Sequence, residues 1–168
     1  MAKNNKLELS WFNKEDKIKI EPRILIENKE LSYYKKDTVP SNMLIHGDNL
    51  LALKALEANF TNKVKCIYID PPYNTGSAFE HYDDGLEHSI WLNLMRDRLV
   101  IMRKLLRNDG FIAIQIDDNE HAYLKVMCDE IFGRSNFVNS IAVKMSEPSG
   151  LKMAHAKKRF PKLKEYIL

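Results

Sequence analysis

The chain has 168 residues, 45% hydrophobic and 29% charged, with a net charge of +3. This is ordinary usage for one modest globular core, and the mild charge makes its distribution more telling than its total. No apolar run approaches the roughly 18 residues a membrane helix needs, and the polar start Met1–Lys6 has no signal-peptide core behind it, so the expectation is a cytoplasmic protein without a membrane partner.

Residues 1–40 are polar and charge-mixed, with one weak apolar stretch at Ile24-Leu25-Ile26 and a closing Pro40-Ser41. They read as an amino-terminal arm, either a surface segment or an accessory hairpin. Residues 41–133 then alternate strand and helix. Met43–His46 is a predicted short strand. Gly47-Asp48-Asn49 turns into a helix reaching about Ala58, with Asp48 as N-cap.

Cys66-Ile67-Tyr68-Ile69-Asp70 is the next strand, with its core at Ile67–Asp70, and Pro71 ends it. A residue before proline is pushed to extended geometry, which keeps Asp70 in line with the strand. Pro71 and Pro72 lack a backbone N–H and donate to no ladder. The Pro71 carbonyl is thereby left as one acceptor, Asp70 supplies a second, and Tyr73 supplies an aromatic plate. Two acceptors and a plate match an amino group with two N–H bonds on a flat base, such as N6 of adenine.

Such an amine is a poor nucleophile because its lone pair is delocalised into the ring. Two acceptors on its hydrogens favour a pyramidal nitrogen and offset the charge that develops as a methyl arrives. They also hold nitrogen, methyl and leaving sulfur in line. Stacking on Tyr73 offsets part of the cost of extruding a base from a duplex. The plainer reading is a strand ended by a stiff turn, with Asp70 as a local cap.

Residues 71–86 form a loop containing Gly76, Asp83, Asp84 and Gly85. Its stretch from Asn74 and Thr75 to Asp84 suits either a cover over a ligand or a plain surface loop. His81, Asp83, Asp84 and His88 lack tight ligand spacing, and no metal is expected. From about Glu87 to Arg107, Trp91, Leu94, Met95, Leu99, Met102, Leu105 and Leu106 recur at helical spacing, and Asn108-Asp109-Gly110 is the expected stop. Phe111–Ile116 alternates as a strand. Asp117-Asp118-Asn119-Glu120 reads as a cap with an acidic third helical position, opening a helix that ends near Phe132-Gly133.

Cys66 and Cys128 fall in a strand and a helix, which suggests buried thiols in a reducing compartment, with no disulfide framework or zinc spacing. Strand-helix-strand units of this length imply parallel strands with right-handed crossovers, hence an α/β layered fold. Ligands of such sheets bind beyond the carboxyl ends of the strands. Asp48, Asp70 and Asp117 all lie just past predicted strand ends, on one edge.

From Lys144 on, the cations are Lys144, Lys152, Lys157, Lys158, Arg159, Lys162 and Lys164, against Glu147 and Glu165, with Phe160 and Tyr166 interleaved. A charge run alone is as readily a solvated face. In a chain that handles nucleic acid, phosphate contact is the better reading, carried by Lys144, Lys152, Lys157, Lys158 and Arg159. The six glycines, Gly47, Gly76, Gly85, Gly110, Gly133 and Gly150, leave no G-x-G pair, so a glycine-rich cofactor loop is missing.

Asp70-Pro71-Pro72-Tyr73-Asn74-Thr75-Gly76 resembles the catalytic motif of S-adenosylmethionine-dependent amino DNA methyltransferases. The flanks resemble one branch, the modification subunit of type III restriction-modification systems. The supporting stretches are 44–53 (LIHGDNLLAL), 88–92 (HSIWL), 116–120 (IDDNE), 129–133 (DEIFG), 144–150 (KMSEPSG) and 162–168 (KLKEYIL). They run in the family's order over roughly residues 41–168.

The resemblance implies a partial Rossmann-like methyltransferase sheet with flanking helices. It implies site-specific methylation of adenine N6 in double-stranded DNA, with the adenine flipped out and S-adenosylmethionine as donor. Asp70, Pro71, Pro72 and Tyr73 take the catalytic positions. Asp48 takes the place of the acidic residue that accepts from the cofactor's adenine amino group, with the Asn49 N–H on the same ring. A homodimer and a restriction subunit are the implied partners. In this branch the glycine loop follows the catalytic motif, after the target-recognition region, and members are several times longer. The sequence stops inside what reads as a strand, Tyr166-Ile167-Leu168, so the expectation is an amino-terminal fragment: an arm at 1–40 and a partial catalytic domain at 41–168. Cytosine-N4 methylation uses the same mechanism, but Asp rather than Ser at position 70 favours adenine. RNA and protein-glutamine methyltransferases usually carry Asn there. A non-catalytic DNA-binding remnant is the reading from a different class.

Overall fold

The computed structural model describes residues 8–16, 19–33, 42–74, 84–145 and 163–168. The first helix, α1 (Asn49–Phe60), starts where Oδ1 of Asp48 accepts from the N–H groups of Leu50 and Leu51, both at 3.0 Å. Those groups have no partner inside a helix, so the side chain supplies one. Residues 42–46 run as irregular chain. The expected strand at Met43–His46 does not form; Met43 and Leu44 are exposed and have no sheet neighbour to satisfy their backbone.

Strand β1 (Val64–Ile69) and helix α2 (Asp84–Leu105) follow. The seam of α2 is Trp91, Leu92, Met95, Leu99 and Met102, all buried; Leu92 joins the expected set, while Leu94 is only partly buried. The helix begins three residues before its expected start and ends before its expected stop. Leu106 already opens strand β2 (Leu106–Ile116). Asn108-Asp109-Gly110 therefore sits inside a strand. Val64 pairs with Leu106, while the next pair is Cys66 with Phe111, so residues 107–110 bulge out of the ladder. The turn chemistry read from the sequence is used for a bulge because Leu105 and Leu106 are both buried and anchor the chain before it.

Helix α3 (His121–Cys128) continues into a π-helical turn, Asp129–Gly133, which extends the helical path to the predicted end. Gly133, at φ +92°, turns the chain out. Strands β3 (Ile141–Lys144) and β4 (Lys164–Ile167) complete a four-stranded sheet of order β1-β2-β4-β3. β1 and β2 are parallel, as a helical crossover requires. β4 runs antiparallel to both β2 and β3, so the sheet is mixed. Leu168 extends this pairing by exchanging two backbone bonds of 2.9 Å with Ile114.

The core lies on one face of the sheet. Ile67, Ile69, Ile112, Ile114 and Ile116 meet Trp91, Leu92, Met95, Leu99, Leu124 and Met127 from α2 and α3. A fully buried side chain of this kind contributes about 1.5–3 kcal/mol. Side chains alternate across a strand, so Cys66, Tyr68 and Phe111 point the other way and are exposed. The expectation that both thiols are buried fails for Cys66: among the described residues β1 is covered on one face only. Among the described residues no helix is long and apolar enough to cross a membrane.

Candidate active site

The carboxyl ends of β1 and β2 lie side by side, and the turns that leave them build one polar cluster. Asp70 follows β1 directly and is exposed. Among the described residues no donor reaches the Pro71 carbonyl. The Pro72 carbonyl is held instead by the buried indole of Trp91, whose Nε1–H donates at 2.7 Å. One of two successive carbonyls is thus pinned to α2, and among the described residues no donor pins the other.

Tyr73 is half-buried, and its hydroxyl donates to Glu165 Oε2 of β4 at 2.8 Å. Gln115 of β2 donates its amide to the Tyr73 hydroxyl at 3.1 Å and to the same Glu165 oxygen at 2.6 Å. Gln115 Oε1 in turn accepts from the Tyr68 hydroxyl. Burial raises the Tyr73 phenol above its ordinary value, and the Glu165 carboxylate, then the nearby Asp70 carboxylate, push the same way. The ring stays neutral and anchored by its polar end beside Asp70.

Asn74 takes up a left-handed backbone, φ +54°, a region asparagine enters more readily than most residues. Its amide donates to Glu120 Oε1 at 2.6 Å. The same oxygen lies 2.9 Å from His88 Nδ1 of α2. Glu120 is 2% exposed, and its second oxygen is buried without a partner among the described residues. Its side chain does not cap α3, contrary to the capping-box expectation; it turns inward to the β1 loop. Asp117 Oδ1 accepts from the Asn119 N–H at 2.8 Å and closes the turn that precedes α3. The Asn119 amide donates to Asp117 Oδ2 at 3.1 Å and reaches the Tyr73 carbonyl at 3.4 Å.

Asp48 and Asn49 are tied to α2 through Arg98. Arg98 Nε donates to Asn49 Oδ1 at 2.6 Å, and its terminal nitrogen lies 3.9 Å from Asp48 Oδ2. Asp48 Oδ1 serves the helix cap, while Oδ2 belongs to a side chain 55% exposed and keeps accepting capacity. The Asn49 N–H stands at the first helical position, where no intrahelical acceptor exists. Lys144 ends β3 and is exposed. Lys152, Lys157, Lys158 and Arg159 lie outside the described residues, as do Thr75, Gly76, His81 and Asp83.

Residues 64–168 match the family of DNA methylases. The chain belongs to that family. The chain is 49% identical over 115 residues to the "Probable type III restriction-modification enzyme HindVI Mod subunit" of Haemophilus influenzae, covering 68% of this chain and 15% of that protein. It is 37% identical over 174 residues to the type III restriction-modification enzyme EcoPI Mod subunit of Escherichia phage P1, covering 86% and 26%. It is 35% identical over 164 residues to the type II methyltransferase M.EcaI of Enterobacter cloacae, covering 89% and 35%. The chain thus spans between about a seventh and a third of the length of these relatives.

The site holds several residues that sequence reasoning passed over. Glu120 reads as a cap, His88 as a stray loop histidine, and Gln115, Glu165 and Trp91 as strand or core positions. Only Glu120 carried a visible signal: an acidic residue just past a strand end.

Proposed function

We propose that the Asp70–Tyr73 loop binds the amino group of an adenine for methylation at N6. The exposed Asp70 carboxylate beside a Pro71 carbonyl without a donor carries this reading: two acceptors wait at a strand end where α/β sheets bind ligands. Asp70 and the Pro71 carbonyl accept the two N–H bonds, Pro72 fixes the loop through Trp91, and Tyr73 offers its ring beside the base. On methylation the nitrogen would lose one proton, which the Asp70 carboxylate would take up and pass to solvent.

The donor is S-adenosylmethionine, which supplies an electrophilic methyl on a sulfonium. Asp48 Oδ2 and the Asn49 N–H have the spare accepting and donating capacity to hold its adenine edge. In the whole protein the substrate is double-stranded DNA with the target adenine flipped out, and Lys144, Lys152, Lys157, Lys158 and Arg159 contact phosphates. By likeness to the Mod subunits, the partners are a second copy and a restriction subunit, in the cytoplasm. The arm at 1–40 and the catalytic portion at 41–168 are its two units.

Binding of nucleosides to the 168-residue chain, followed by NMR, tests the loop. Deoxyadenosine shifts the resonances of Asp70 and Tyr73; N6,N6-dimethyldeoxyadenosine, which has no N–H, binds at least ~10-fold more weakly, the scale of one or two hydrogen bonds to charged or fixed acceptors. Asp70→Ala removes the preference. Equal binding of the two nucleosides overturns the reading, and tighter binding of deoxycytidine transfers it to cytosine N4.

A further inference from the structure

Glu120 is a buried carboxylate with one oxygen that meets no donor among the described residues. Such a group is costly unless its bonds are needed. Its other oxygen joins two segments that are distant in sequence: Asn74 of the β1 loop at 2.6 Å and His88 of α2 at 2.9 Å. Asn74 is the residue in the left-handed region immediately after Asp70–Tyr73. Hydrogen bonds to a desolvated carboxylate are short and strong, so this one holds an otherwise unfavourable backbone state. Asn119, one residue earlier in the β2 turn, reaches the Tyr73 carbonyl and closes a second, longer tether.

We infer that Glu120 is the positioning residue of the base-binding loop. It fixes Asn74 in its left-handed state, and this sets where the Pro71 carbonyl and the Asp70 carboxylate point. His88 braces the same carboxylate from α2, with its ring edge against Tyr123 at 4.4 Å between centroids. The inference rests on reading Asp70–Tyr73 as the site that holds the amine. The alternative for Glu120 is a purely structural tie between α2 and the start of α3.

The two roles part on a double substitution. Trp91 Nε1–H bonds the Pro72 carbonyl, so its indole NMR resonance reports the loop's position in the 168-residue chain. Glu120→Ala moves that resonance towards its solvent-exposed value and weakens deoxyadenosine binding about tenfold or more, the equivalent of one strong hydrogen bond. Asn74→Gly loses the same hydrogen bond but enters the left-handed region freely, so it moves both in the same direction and by less. Glu120→Ala with Asn74→Gly is no more impaired than Glu120→Ala alone, because one tether is removed from either end. A double variant whose losses add overturns the inference, as does a Glu120→Ala indole resonance that does not move. Should Glu120→Ala fail to fold, Asn74→Asp decides: it tolerates the same backbone but sets a carboxylate against Glu120, so the indole resonance must shift, and an unshifted one overturns the inference. Failure of deoxyadenosine to bind the wild type sinks only the base-binding reading, since the indole resonance still decides the role of Glu120.

Discussion

Trp91 donates its indole N–H to the Pro72 carbonyl at 2.7 Å, and the ring is 1% exposed. The largest side chain of the core is therefore also the clamp on the loop that leaves β1. Trp91→Phe keeps an aromatic ring there but strips the donor from the Pro72 carbonyl. We expect a loss of about 1–3 kcal/mol for the bared acceptor, with more from the vacated volume. Urea unfolding of the chain measures it, and a change under ~0.5 kcal/mol contradicts the clamp.

Gly110 lies in the bulge of β2, where an added Cβ would stand 2.9 Å from the Val64 carbonyl and 3.0 Å from the Lys65 carbonyl. Both are backbone atoms of the neighbouring strand and have no rotamer to escape through. Gly110→Ala is expected to cost about 1–3 kcal/mol, the range for overpacking. A variant as stable as the wild type in thermal unfolding shows that the bulge relaxes.

The two cysteines differ sharply. Cys66 is exposed on the open face of β1. Burial, with a smaller push from Asp129, raises the Cys128 thiol to about 12. Thiolate is the reactive form, so at about pH 8 a maleimide labels Cys66 and spares Cys128 in the native chain. Mass spectrometry of the labelled peptides checks this; fast labelling of Cys128 without denaturant shows that the α3 packing opens.

His121 stacks on Tyr166 of β4 at 4.1 Å and lies 2.7 Å from the Ser140 hydroxyl. Burial holds its pKa below the ordinary 6.5; Asp118 opposes this, while Lys164 and Lys125 reinforce it. The neutral ring is the form the fold favours. Its contribution is complete above the unfolded value and is lost as the pH falls from there towards the folded one. The urea midpoint should drop between about pH 7.5 and pH 5.5, and less so in His121→Gln. An equal drop in both assigns the pH dependence to other groups.

Much of the layout was legible because it is written in local terms. The Asp48 cap, the α2 seam from Trp91 to Met102, and Pro71 as the end of β1 each follow from one residue type at one spacing. The misreadings share a cause. Asn108-Asp109-Gly110 has the chemistry of a helix stop, and only the pairing of Leu106 with Val64 turns it into a bulge. Met43–His46 has the composition of a strand and lacks the neighbouring strand that would make it one. Glu120 stands where a capping box expects an acidic residue, and the buried space between α2 and the β1 loop draws its side chain inward.

The sequence by itself determined the α/β alternation and the proline loop that ends β1 at Asp70–Tyr73, because periodicity and proline geometry belong to the chain before it folds. Tertiary structure decided what surrounds that loop. Gln115 and Glu165 reach the Tyr73 hydroxyl from two strands, Trp91 reaches Pro72 from a helix, and Glu120 reaches Asn74 from 46 residues away. Partners so far apart in sequence meet only when strand register and helix packing bring them within hydrogen-bond distance, and no local pattern records that.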